Sequence, residues 1–153
     1  MNNTLLKSED RSATSVSEDQ NTPAGQRGVM LTLDVTKAPP KARAEKEGET
    51  GKEKAELAAE KAAEEGTLAV SLELRDPASG KYVPITVFAV TKKAKELEAG
   101  ATLSYTIYPG AAETAAVGNH EVMALPLPGK WRVKVTHSAG GKWAYTVGAS
   151  KLQ

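Results

Sequence analysis

From Val29 onward the chain alternates between apolar and polar positions. Val29, Leu31, Leu33 and Val35 take every second place, with Met30, Thr32, Asp34 and Thr36 between them. That is the pattern of a strand with one face buried, and Pro39 and Pro40 end it. The alternation returns after Gly66, where Leu68, Val70, Leu72 and Leu74 share one side and Ala69, Ser71, Glu73 and Arg75 the other. The run from Tyr82 to Thr91 is apolar on both sides, through Val83, Ile85 and Val87 and through Phe88 and Val90, which predicts a central strand. Further strands are predicted around Leu103-Tyr105-Ile107, Met123-Leu125-Leu127, Trp131-Val133-Val135 and Trp143-Tyr145-Val147. Gly100, Pro109-Gly110, Pro128-Gly129 and Gly140-Gly141 punctuate them. In Asp76-Pro77-Ala78-Ser79-Gly80, Pro77 presets φ at a corner and Gly80 supplies a left-handed residue. About seven short strands, with no helix between the later ones, predict an all-β fold: an immunoglobulin-like antiparallel β-sandwich over residues 28–150.

Two stretches break the pattern. Residues 1–27 are polar, with Leu5, Leu6 and Val16 as their sizeable apolar residues. Such a segment buries too little to offset its ordering entropy and is expected to be a flexible N-terminal arm, or one that orders only against a neighbouring subunit. Residues 41–66 form a charged insertion after the first strand. From Gly51 to Glu65 it is nearly all Ala, Glu and Lys, strong helix formers with opposite charges spaced i, i+4, and Gly66 stands where a helix would end. Ala55, Ala58, Ala59, Ala62 and Ala63 share one shallow face. The helix is therefore expected to be exposed, with packing of that alanine face on another helix in an assembly as the alternative. Tyr82 and Tyr108, at strand ends, are the other candidates for a contact surface.

Lys and Arg number 20 against 19 Asp and Glu, a net charge of +1, so there is no basic excess for a nucleic-acid partner. The absence of cysteine excludes disulfides, thiolate metal sites and a cysteine nucleophile. No apolar run has the length of a signal peptide or a membrane span. A cytoplasmic or virion protein is expected, or a periplasmic or secreted one if a native leader is missing.

Catalytic patterns are lacking. There is no Gly-x-Ser-x-Gly elbow, no phosphate-cradling glycine loop before a helix and no His-Glu-x-x-His. Gly118-Asn119-His120-Glu121 matches one block of the calcineurin-like metallophosphoesterases. The companion Asp-x-His and Gly-Asp-x-x-Asp blocks are missing, and a two-metal centre needs ligands from several loops. Trp131, Trp143, Tyr105 and Tyr145 fall where core packing is expected. His137 continues the Trp131 face and is expected at its rim. A non-enzymatic structural or protein-interaction module, a subunit of a larger assembly of surface, capsid-decorating or scaffold type, is the function these features predict. Its expected partner is protein, or further copies of itself.

Pro128-Gly129-Lys130-Trp131-Arg132-Val133-Lys134-Val135 resembles the penultimate strand of bacterial immunoglobulin-like and fibronectin-like modules, with Trp131 where those carry a Tyr. In order and spacing, Gly28–Pro40, Gly66–Asp76 and Tyr82–Val147 resemble the periplasmic iron-transport family of metal-binding β-sandwich proteins. Ser71-Leu72-Glu73 stands at that family's His-Leu-Glu strand, and Tyr82-Val83-Pro84-Ile85-Thr86-Val87 at its aromatic-and-proline strand. Ala101-Thr102-Leu103-Ser104-Tyr105-Thr106 stands at its Gly-Thr-Leu-Met-Pro-Met segment, with both Met residues replaced. Gly118-Asn119-His120-Glu121 stands at its Gly-Pro-His-Tyr-Gly segment and His137 at its late His. The resemblance implies an alternative, an extracytoplasmic metal-binding domain. Its copper or iron/manganese ion would be held by the reduced set Glu73, His120 and His137, without thioether ligands; the structural reading needs no cofactor.

Overall fold

The computed structural model describes residues 2–89, 92–97, 101–111, 114–117 and 120–153. In chain order the elements are β1 (Asn2–Arg11), β2 (Ser15–Val16), β3 (Gln20–Asn21), β4 (Gly28–Lys37), α1 (Gly51–Glu64), β5 (Leu68–Arg75), β6 (Tyr82–Ala89), a 3-10 turn (Ala94–Glu96), β7 (Ala101–Ile107), β8 (Thr114–Val117), β9 (His120–Met123), β10 (Lys130–His137) and β11 (Trp143–Leu152). One sheet runs β1-β11-β4-β7-β9-β8. The other runs β2-β10-β5-β6, with β3 also on β10. The protein is an all-β sandwich.

Alternation explains why these sheets face each other. Val29, Leu31, Leu33 and Val35 of β4 meet Val70 and Leu72 of β5, Val133 and Val135 of β10, and Trp143, Tyr145 and Val147 of β11 in one buried cluster. Phe88 from one sheet stacks on Tyr105 from the other, ring centroids 4.4 Å apart. Trp131 stands where the resembled modules place a Tyr, and it makes a corner tie of its own. Its Nε1 donates to Thr22 Oγ1 at 3.1 Å, and that hydroxyl donates to the Pro128 carbonyl at 2.6 Å.

Five expectations are corrected by the architecture. The strands number eleven among the described residues, against about seven expected. The immunoglobulin arrangement sets the first two strands side by side, whereas here β1 lies beside the last strand, Asn2 opposite Ser150 and Arg11 opposite Trp143. That pairing also gives the N-terminal arm its place. Main-chain bonding to β11 needs no apolar side chains, and Leu6 adds one buried anchor; β2 and β3 pair in turn with β10. The predicted central strand, β6, is an edge. A register shift between Thr86 and Pro84 flips its parity, which is why both faces read as apolar. Finally, Leu125 and Leu127 pack against the core from outside any strand, since β9 ends at Met123.

Counting β2 and β3 as one broken strand and setting β8 and β9 aside, eight strands remain. Their order is first-eighth-third-sixth in one sheet and second-seventh-fourth-fifth in the other. Consequently the connections 12–14, 38–67 and 138–142 gather at one end of the sandwich. The insertion lies there. Thr50 caps α1 by accepting from the Glu53 N–H, and Leu57 is the residue the helix buries. Arg43 fastens the preceding loop, pairing with Glu49 and with Glu60 at 3.6 Å. Gly66 follows the helix without a left-handed φ, its N–H donating to the Ala63 carbonyl.

Candidate functional site

The metal set named from the resemblance is spread over both sheets. Glu73 lies on β5 opposite Arg132, and Arg132 Nε donates to its carboxylate at 2.8 Å. His137, on β10, stands five register positions further along, opposite Leu68, which places it about 16 Å from Glu73 at ~3.3 Å per residue. Its Nε2 lies 2.9 Å from the Tyr145 hydroxyl. His120 is exposed on β9 of the other sheet, with Nδ1 2.6 Å from Ser104 Oγ. Among the described residues no three His, Asp or Glu side chains gather where they could share an ion.

Glu73 belongs to a different constellation, on the outer face of the second sheet. It faces outward yet is only 5% exposed, because Arg132 covers it. The Arg132 guanidinium lies 3.5 Å from the centroid of the Tyr82 ring. Tyr82, a candidate contact residue, thus serves as a platform, and its hydroxyl donates to Asp19 at 2.7 Å. Arg75 holds the other oxygen of Asp19 at 3.1 Å. The Tyr82 hydrogen bond first, then the charges of Arg75 and Lys130, keep the Asp19 carboxyl below its ordinary range. Beside this network runs a mixed row with a valine at each end. Val16 is opposite Lys134, Lys134 opposite Ser71, and Ser71 opposite Val87. Directly paired residues share a face, so the row is continuous, with Val16 46% and Val87 57% exposed at its two ends. Val83, on β6, is 49% exposed.

A second polar group sits at the insertion end. Tyr145 donates to Ser15 Oγ at 3.1 Å, Arg11 Nη1 approaches the same oxygen at 3.3 Å, and the Arg11 guanidinium lies 5.5 Å from the Tyr145 ring centroid. Burial, reinforced by the Arg11 charge, pushes the His137 pKa down. His137 Nδ1, Trp143 Nε1 and Arg11 Nε are buried there without a hydrogen-bond partner among the described residues. Ser15 Oγ faces Tyr145 and not the imidazole, so serine and histidine do not form a nucleophile–base pair.

At the same end α1 and the 138–142 loop flank an open groove of about 680 Å³, lined by Pro39, Pro40, Ala59, Ala63, Gly140 and Gly141 and by the charged residues Lys37, Lys41, Lys142 and Glu60. Gly141 has φ +110°, and a Cβ there would stand 2.8 Å from Ala63 Cβ and 2.9 Å from Pro39 Cγ, so loop, helix and proline are in close contact at the floor. Of the alanines predicted as an interaction face, Ala59 lines this groove, while Ala55, Ala58 and Ala62 are exposed on the helix. Tyr108 is an internal tie: its hydroxyl donates to the Gln153 carbonyl at 3.0 Å, and Arg27 lies 5.3 Å from its ring centroid. Sequence reasoning missed the Val16–Val87 row, Arg132 as the partner of Glu73, and the groove. Each depends on register or on a loop meeting a helix, neither of which local alternation encodes.

No protein-family model and no curated protein matches the chain. Similar solved structures include a chain in the structure of infectious bursal disease virus Gx strain, 10% identical over 97% of this chain and 30% of that one, with a TM-score of 0.46. Another is a chain of the cowpea mosaic virus top component, naturally occurring empty particles, 10% identical over 99% of this chain and 83% of that one, with a TM-score of 0.40. The present chain spans under a third of the first of these.

Proposed function

We propose that this chain is a non-enzymatic β-sandwich module of jelly-roll type that works as a subunit of a larger protein assembly, of the surface, capsid-decorating or scaffold kind. The observation that supports it is the cross-strand row on the outer face of the second sheet that ends in two half-exposed valines, Val16 and Val87, with Lys134 and Ser71 between them. Such a row suits contact with further copies of the chain, since a two-fold contact pairs a patch with itself. The strand order first-eighth-third-sixth and second-seventh-fourth-fifth is that of a jelly roll. A fold does not determine function, so the weight rests on the surface. The interior agrees with it. The cluster between the sheets is apolar, with Trp143, Tyr145, Phe88 and Leu31 fully buried, which leaves the exterior to do the work.

β6 is an edge, but main-chain pairing along its whole length is opposed. Pro84 lacks an N–H, and the register shift beside it bends the strand. Contact across the outer face fits better than sheet extension. Sedimentation velocity and light scattering test this as concentration is raised. The mass is expected to climb above that of one chain, and Val16→Asp and Val87→Asp are expected to return it to the monomer. A wild-type chain that stays monomeric throughout, or a Val87→Asp variant that associates as well as wild type, refutes the reading.

A further inference from the structure

We infer that the groove between α1 and the 138–142 loop seats an extended segment of a partner chain in which apolar side chains alternate with carboxylates. The inference rests on the assembly reading and adds the chemistry of one partner. Three features select this occupant. The first is shape: the backbone at Gly141 comes so close to Ala63 and Pro39 that a Cβ would not fit, and the lining residues Pro39, Pro40, Ala59, Ala63, Gly140 and Gly141 are small or flat. An alkyl tail laid in so open a groove would keep much of its surface in water, whereas an extended peptide needs to bury only one side. The second is charge. Lys37, Lys41 and Lys142 line the groove against one carboxylate, Glu60, which faces Arg43 at 3.6 Å. Lys37 has Asp10 at the 4.0 Å limit of an ion pair, too far to neutralise it. A groove that combines small apolar surface with an excess of lysines favours an apolar anchor flanked by acids, and like charges repel a basic segment.

The third is chemistry. Apart from the lysines and Glu60 the lining carries no side chain with a polar atom: no imidazole, hydroxyl or thiol. The groove is therefore a place to hold and not to transform. Its volume of about 680 Å³ lies within the usual range of binding recesses, ~300–1,000 Å³.

The probes are three blocked peptides: one alternating leucine and glutamate, one with lysine for glutamate, and one with serine for leucine. Binding is read from the amide signals of Ala59, Ala63, Gly140, Gly141 and Lys142 in nitrogen-15 spectra of the full chain. The leucine/glutamate peptide is expected to shift these amides saturably, and the other two to leave them in place. Ala59→Glu and Lys41→Glu, both at exposed positions, are expected to weaken binding by about tenfold or more with circular dichroism unchanged. Equal binding of the lysine peptide, shifts confined to other surfaces, or no shift at all overturns the inference. So does saturable binding of dodecanoate at the same amides, which would make the site one for lipid. Groove shifts that grow with protein concentration alone would also overturn it, since a second copy would then be the occupant. If the peptides fail while Val87→Asp still abolishes self-association, the groove inference falls and the assembly reading stands. If the chain never associates yet the peptide binds, the reverse holds.

Discussion

Replacing Arg132 by Met should destabilise the sandwich far more than loss of a surface ion pair would. In the folded chain Glu73 is 5% exposed and its carboxylate is met by Arg132 Nε at 2.8 Å. Met approximates the length of the arginine stem, so packing over Tyr82 is largely retained while the charge is lost. Breaking a buried pair from one side typically costs ~3–5 kcal/mol. The Arg132 side chain is itself 22% exposed, so water reaches the pair and the lower end, about 3 kcal/mol, applies. The lost cation–π contact with Tyr82 adds roughly 0.5–1 kcal/mol. For a chain of this size each kcal/mol lowers Tm by ~2–4 °C, so a fall of about 7–16 °C is expected. Urea unfolding followed by tryptophan fluorescence should show the midpoint falling with the slope unchanged. Removing both charges, as Glu73→Leu with Arg132→Met, should recover most of the loss, because no carboxylate is left stranded. A single variant within about 1 kcal/mol of wild type, or a double variant no more stable than the single one, would show that desolvation of Glu73 is not what Arg132 offsets.

Stability should also vary with pH through His137. Its folded pKa is depressed, by burial first and by Arg11 second, so the unfolded chain binds the proton more readily. The contribution is complete above the ordinary histidine value near 6.5 and is lost as pH falls from there toward the depressed value. Urea midpoints of wild type should drop across that window relative to His137→Gln, and parallel profiles would refute the assignment. Isothermal titration with Cu(II) and with Mn(II) should give the same weak heats for wild type and for a His120→Ala/His137→Ala double variant, since Glu73, His120 and His137 lie apart. Tight binding that the double variant loses would reverse that conclusion.

Much of the sandwich is legible in alternation. β4, β5, β10 and β11 each put one face into the cluster around Leu31 and Val133, and a period of two is what one-sided burial writes into a sequence. Helix α1 is legible from propensity, and its start and end follow from Thr50 and from the turn before Gly66. Strand order is not legible, because the partners of β11 lie as far away as Asn2, and no local pattern carries a pairing across the whole chain. β1 is hidden for a related reason: an edge strand is held by its main chain, and its residues stay polar. Ala59 is singled out in the sequence by the alanine face it shares and Tyr82 by its place at a strand end, but what they touch, Pro39 and Gly141 around the groove in one case and Arg132 in the other, is a matter of register and loop course.

The placement of β11 has a kinetic side. It lies between β1 and β4, so the second position in a six-stranded sheet is filled by the segment Trp143–Leu152, and among the described residues β1 has no other neighbour in that sheet. As the chain leaves the ribosome, β1 must wait unpaired while everything up to Trp143 is made. The Asn2–Ser150 contact joins residues almost a whole chain apart, and closing loops of that length makes folding slow. During that interval a waiting strand is open to capture by a neighbouring chain's β11, so exchange of N-terminal strands between copies is the misassembly to which this topology is most exposed.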